Sequence, residues 1–143
     1  MKEIGHIDIP HGGRAIVKRS RATADQRFAV AAPTIKQAVT RALDAAAAGE
    51  GGSIDAPIPV AEIVALMEYL CAVILQVEGV KGCVWADMSQ DERVDFLDEM
   101  GSSALMQMYV RYLWLRVTVD QPEVVAQIQA ITEGARVDSS EEE

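Results

Sequence analysis

The sequence predicts a mainly α fold: a single helical domain of about six helices with an N-terminal β-hairpin. Three observations carry that reading. Apolar residues recur at helical spacing from about residue 23 onward. Two-residue alternation is confined to the first nineteen residues. Prolines, glycines and capping patterns punctuate the chain where helices of ordinary length begin and end.

The 143 residues suffice for one domain and are too few for two ordinary ones. Aromatic residues make up only 5 % of a chain that is 50 % hydrophobic, so the core must rest on Ala, Val, Ile, Leu and Met. A chain of this size buries roughly two-thirds of its unfolded surface, enough for one core without disulfides or metals.

The segment Ile4 to Arg19 reads as the hairpin. Ile7 and Ile9 flank Asp8, Ala15 and Val17 flank Ile16, and Pro10-His11-Gly12-Gly13 lies between the strands. Paired glycines supply the positive φ of a tight turn. A lone hairpin is marginal in water, so this one should pack on helices or on a partner. Thr23-Ala24-Asp25-Gln26 matches a capping box and starts a short helix that Pro33 ends or kinks. Thr34 caps a second helix to about Ala48, with Ile35, Val39, Ala42, Leu43 and Ala46 on one face. Gly49 to Pro57 is a Gly-rich loop.

Pro59 suits the first position of a hub helix reaching Val77. Its heavy stripe is Ile63, Leu66, Met67, Leu70, Val73, Ile74 and Val77. Its light stripe is Ala61, Ala65 and Ala72, where another helix can approach closely. A loop holding Trp85 follows. Ser89 and Glu92 then form a capping box for a helix with Val94, Phe96, Leu97 and Met100 on one side. Gly101 stops it. The next helix, Ser103 to Val117, is apolar nearly all round, and Asp120 caps a last helix with Pro122 in its first turn. The boundaries are therefore 1–21 for the hairpin, 22–134 for the helical domain and 135–143 for an acidic tail, expected to be disordered.

The net charge of −9 is unevenly placed. Residues 1–50 carry eight Lys/Arg against five Asp/Glu; the remainder carries five against seventeen. Such asymmetry steers partners or orders an assembly. A net acidic chain is a poor general nucleic-acid binder, and the basic cluster Lys18-Arg19-Ser20-Arg21 with Arg27 lacks interleaved aromatics. The most apolar stretch, Val60 to Val77, is broken by Glu62 and Glu68 and is too short to span a bilayer. The first thirteen residues contain no apolar signal core, so the reading is a cytoplasmic protein. Cys71 and Cys83 read as unrelated reduced thiols.

No catalytic residue, metal ligand or cofactor is assigned. His6 and His11 flank the turn without converging ligands. Neither Gly-rich loop carries the Lys-Ser/Thr pair of a phosphate loop, and no nucleophile elbow occurs. The expectation is a protein that is not an enzyme. Helix surfaces are the remaining place for function. Val124, Ile128 and Ile131 make a narrow stripe suited to a partner's groove. Trp85 is a possible anchor. Asp91, Asp95, Asp98 and Glu99 form an acidic face, solvated or used for electrostatic docking.

The stretch Ile7-Asp-Ile-Pro-His-Gly-Gly-Arg-Ala-Ile-Val17 resembles the strand pair that opens many tail assembly chaperones of long-tailed bacteriophages. Val84-Trp85 through Phe96-Leu97 resembles their later pattern of a Trp, a short spacer and an acidic helix, and the acidic end also fits. The resemblance loosely covers residues 1 to about 117. It implies a transient holder of the tape-measure protein, with tail tube subunits as further partners, acting in the host cytoplasm. Homo-oligomerisation is open. Two other readings stand beside it: a structural virion component such as a connector or completion protein, and a small acidic regulatory binding protein.

Overall fold

The computed structural model of the chain describes residues 3–10, 12–47, 49, 57–123 and 126–127. Among these, five α-helices and a short 3-10 turn surround a three-stranded antiparallel sheet. The order is β1 (Glu3–Asp8), β2 (Arg14–Lys18), α1 (Ala22–Ala31), α2 (Pro33–Ala47), α3 (Val60–Val73), β3 (Ile74–Glu78), the turn Trp85–Asp87, α4 (Gln90–Met100) and α5 (Ser102–Asp120). The sixth expected helix, after Asp120, lies largely outside the described residues, as do His11, Val124, Ile128, Ile131 and the tail 135–143.

The expected hairpin forms, and it is two-thirds of a sheet. β2 is central, paired on one side with β1 and on the other with β3. Ile7, Ile9, Ala15 and Val17 all enter the single core. Gly13 has φ +85, and a Cβ there would meet the Glu78 carbonyl oxygen at 2.6 Å. Only glycine turns the chain there while letting β3 close against the hairpin. Arg14 and Glu78, opposite one another in register, are joined at 2.7 Å.

The hub helix is shorter than its periodicity implies. It ends at Val73, and Ile74 to Glu78 continue as β3. Ile74 and Val77 are buried as expected, but in a strand. A run containing Val73, Ile74 and Val77 suits either structure, and no glycine or proline marks the change. The open edge of β2 decides, because its backbone groups need partners.

Two helix starts also differ. α1 begins at Ala22 after Arg21, and no side chain caps it. Asp25, assigned to the first turn of a Thr23 cap, points elsewhere. Pro33 is the first residue of α2, so Thr34 lies inside the helix. Ala32, at φ −133 and ψ 58, leaves helical geometry between the two helices, since the residue before a proline is disfavoured in the α region. The cap of α2 comes from α3: buried Glu62 accepts the Ile35 N–H at 3.0 Å through Oε1. A carboxylate at a helix N-terminus satisfies an orphan donor and opposes the helix dipole. Glu62→Ala is expected to lower stability by ~1–2 kcal/mol, and Glu62→Gln by less, since the amide keeps an acceptor. Urea midpoints of the two variants check this; equal midpoints would remove the cap from the account.

The rest follows the pattern. Ile35 and Val39 of α2 are buried, while the side chains of Leu43 and Ala46 lie outside the described ones. Ser89 and Glu92 close a reciprocal capping box on α4. Gly101, at φ +87, turns α4 directly into α5. The helix α5 is longer than expected, and Asp120 closes it and pairs with Arg19. Cys71 is buried, which pushes its thiol up to about 11. Among the described residues no helix is long and apolar enough to cross a membrane.

Candidate functional site

The structure places the residues singled out in the sequence in very different settings. Trp85 is 2 % exposed. Its indole N–H donates to the Ile74 carbonyl at 3.2 Å, Phe96 meets the ring edge-on, and Arg93 lies over it at 5.0 Å. Arg93 also donates twice to the Trp85 carbonyl. Trp85 therefore closes the outer edge of β3 and has no surface to offer a partner. Asp91, Asp95, Asp98 and Glu99 are exposed on α4, on the side away from buried Leu97. Val124, Ile128 and Ile131 lie outside the described residues.

The surface tryptophan is Trp114, 42 % exposed. It lies in a groove of about 400 Å³ between β1 and α5, lined by His6, Ile7 and Asp8 on the strand and Val110, Arg111, Trp114, Leu115 and Thr118 on the helix. β1 is an edge strand. The Asp8 carbonyl accepts Arg111 Nη1 at 2.7 Å, which bridges the groove at one point. Leu115 packs where Gly5 has no side chain: a Cβ there would stand 3.1 Å from its Cδ1. The buried seam of α5 is Leu105, Met108, Tyr109 and Tyr112. Its exposed positions include Gln107, Arg111, Trp114 and Thr118, spaced four, three and four residues apart. A tryptophan in an otherwise polar stripe was the readable signal, hidden by treating the helix as apolar all round.

A polar network fixes α5 behind this groove. The Ser20 N–H donates to Tyr112 Oη at 2.8 Å, and that hydroxyl donates to the Lys18 carbonyl at 2.8 Å. Ser20 Oγ donates to Asp25 Oδ1 at 2.6 Å, and Tyr69 Oη reaches the same oxygen at 2.6 Å. Arg116 Nη1 donates to Ser20 Oγ at 2.9 Å and to Asp25 Oδ2 at 3.1 Å. Burial alone would raise the Asp25 carboxyl, but hydrogen bonds from Ser20, Tyr69 and Arg116 and the nearby guanidinium hold it below its usual range. Burial and the Asp25 contact push Tyr69 strongly upward, so at neutral pH it is a neutral donor. Phe28, Tyr69 and Tyr109 pack together beside it, at ring separations of 4.9 to 5.7 Å. The end of β2, α1, α3 and α5 are thus held by one cluster, which sets the height of Trp114 against β1.

Among the described residues no cluster of three or more His, Cys, Asp or Glu is arranged to hold a metal ion. Comparison with protein-family models, with curated proteins and with solved structures finds no match.

Proposed function

We propose that this chain is a tail assembly chaperone of a long-tailed bacteriophage, holding the helical tape-measure protein while tail tube subunits assemble around it. The observation that carries the reading is Trp114, half-exposed in the groove between β1 and α5. Trp is the residue most enriched at the energetic centre of protein interfaces, and a groove rimmed by a strand and a helix suits an apolar helix face. The acidic face of α4 fits the same role, since its charge keeps a complex with an aggregation-prone partner soluble.

Co-expression with the tape-measure protein tests this. Wild-type chain is expected to co-purify with it and to be absent from finished particles. Trp114→Ala is expected to weaken the complex by at least ~2 kcal/mol while leaving the unfolding midpoint nearly unchanged. A complex indifferent to Trp114 would remove the groove from the proposal, and failure to recover any tape-measure protein would remove the proposal itself. A chain found as a fixed ring in mature particles would favour the structural virion component. Loss of binding on neutralising Asp91, Asp95 and Asp98, with strong salt sensitivity, would favour the acidic regulator.

A further inference from the structure

A second surface lies away from the Trp114 groove, on the layer formed by α1 and α3. A depression of about 200 Å³ runs between the two helices. On α1 it is lined by Ala24, Arg27, Phe28 and Ala31; on α3 by Ala65, Glu68, Tyr69 and Ala72. The two walls carry one pattern at one spacing: alanine, a charge three residues on, an aromatic ring four on, and alanine seven on. The rings form the floor, stacked at 4.9 Å with 29° between their planes. The alanines keep both walls low. The charges are opposite, Arg27 on one wall and Glu68 on the other. Both side chains are exposed, and neither takes part in an ion pair or hydrogen bond among the described residues.

The apolar surface continues past the depression. Val30, three residues beyond Arg27, is 83 % exposed; Val64, four before Glu68, is 41 % exposed. This is the light stripe of the hub helix, half-covered by α1 and otherwise open.

From this we infer that the α1–α3 layer docks on the same layer of a second copy of the chain. The charges select that occupant. A two-fold axis along the depression lays α1 of each copy over α3 of the other. Arg27 then meets the second copy's Glu68 and Glu68 meets its Arg27, so one operation pairs both lone charges of each copy and makes two ion pairs. The four helices form a two-by-two layered bundle. Alanine at the contact lets the helix axes approach at the short end of the usual range, and the valines supply the apolar area that the low walls lack. The face is small for an obligate dimer, so the association is a reversible one.

Charge reversal tests the pairing, because Arg27 and Glu68 are exposed and their exchange does not disturb the core. Sedimentation velocity across a concentration series is expected to show a reversible dimer for the wild type. Arg27→Glu alone places like charges at both symmetry-related contacts, as does Glu68→Arg alone. Each is expected to weaken the dimer about tenfold or more, with an unchanged unfolding midpoint. An equimolar mixture of the two single variants is expected to regain wild-type association, because each contact again joins opposite charges. The double variant R27E/E68R should dimerise with itself and not with the wild type. A wild-type chain that stays monomeric at several hundred micromolar would overturn the inference. So would single reversals that leave a dimer untouched, or a mixture that fails to recover. Trp114→Ala, on the other groove, should not alter the dimer, so this result and the tape-measure result are separable.

Discussion

Trp85→Ala is expected to lower the stability of this protein by ~3–5 kcal/mol, the largest single-residue effect in the fold. The side chain is almost wholly enclosed, and its removal brings four losses. Phe96 would lose its edge-on neighbour, Arg93 the ring beneath its guanidinium, and the Ile74 carbonyl its donor. The fourth loss is shape: α4 meets β3 across the indole, and an alanine leaves a cavity that two rigid elements cannot close. Small domains are stable by only ~5–15 kcal/mol, so the variant should be close to its unfolding threshold at 37 °C. Trp85→Phe should fall between, keeping most of the volume and losing the N–H. Urea unfolding followed by far-UV circular dichroism measures all three. A Trp85→Ala midpoint equal to the wild type would mean that the indole does not organise this end of the domain. The same pair of tryptophans offers an internal control: Trp114→Ala should remove the solvent-exposed part of the fluorescence and leave the midpoint in place.

Asp25→Ala is expected to cost ~2–3 kcal/mol. Breaking one side of a fully buried ion pair costs ~3–5 kcal/mol, and this carboxylate, 34 % exposed, is partly screened by water. Its loss removes the shared acceptor of Ser20 Oγ and the Tyr69 hydroxyl, leaving those two only each other and Arg116, and it leaves Arg116 without its counter-charge. Arg116 Nε is already buried without a partner, so the guanidinium has little to fall back on. The same contact predicts an acid dependence. The folded Asp25 titrates below its ordinary value of 3.8. Its contribution is therefore complete above about pH 4 to 5 and is lost as the pH falls through the folded-state value. Wild type should lose stability over that interval, and Asp25→Asn should lose less, having little left to titrate at this site. Parallel pH profiles of the two proteins would sink the assignment.

Local chemistry made much of this architecture legible. The paired glycines placed the hairpin turn. The Ser89–Glu92 box and Gly101 bounded α4. The stripe of Leu66, Met67, Leu70 and Val73 placed the hub of the core. Each of these signals acts between residues a few positions apart, where spacing is known without the fold. The misreadings share the opposite property. Ile74 to Val77 became a strand because β2, sixty residues earlier, presented an open edge. Asp25 looked like part of a cap because its partners, Tyr69 and Arg116, are far along the chain. Glu62 looked like an interruption in an apolar run, although it caps a different helix.

The candidate surfaces divide in the same way. The acidic face of α4 was readable, because charge opposite an apolar stripe on one helix is a local fact. Trp85 and Trp114 were not separable by composition. One lies in a loop and the other in a helix, and a loop residue is ordinarily the more exposed. The sheet edge reversed that order by needing a donor for the Ile74 carbonyl.

The sequence by itself determined a mainly helical chain with an N-terminal hairpin, the ends of most of its helices and its division of charge, since turns, caps and amphipathic faces depend on neighbouring residues. Only the tertiary structure decided which tryptophan faces solvent, that the hairpin acquires a third strand, and that Arg27 and Glu68 stand on opposite walls of one alanine-lined depression. Those outcomes depend on which distant backbone groups lack partners and which surfaces two helices leave uncovered, and no local spacing records either.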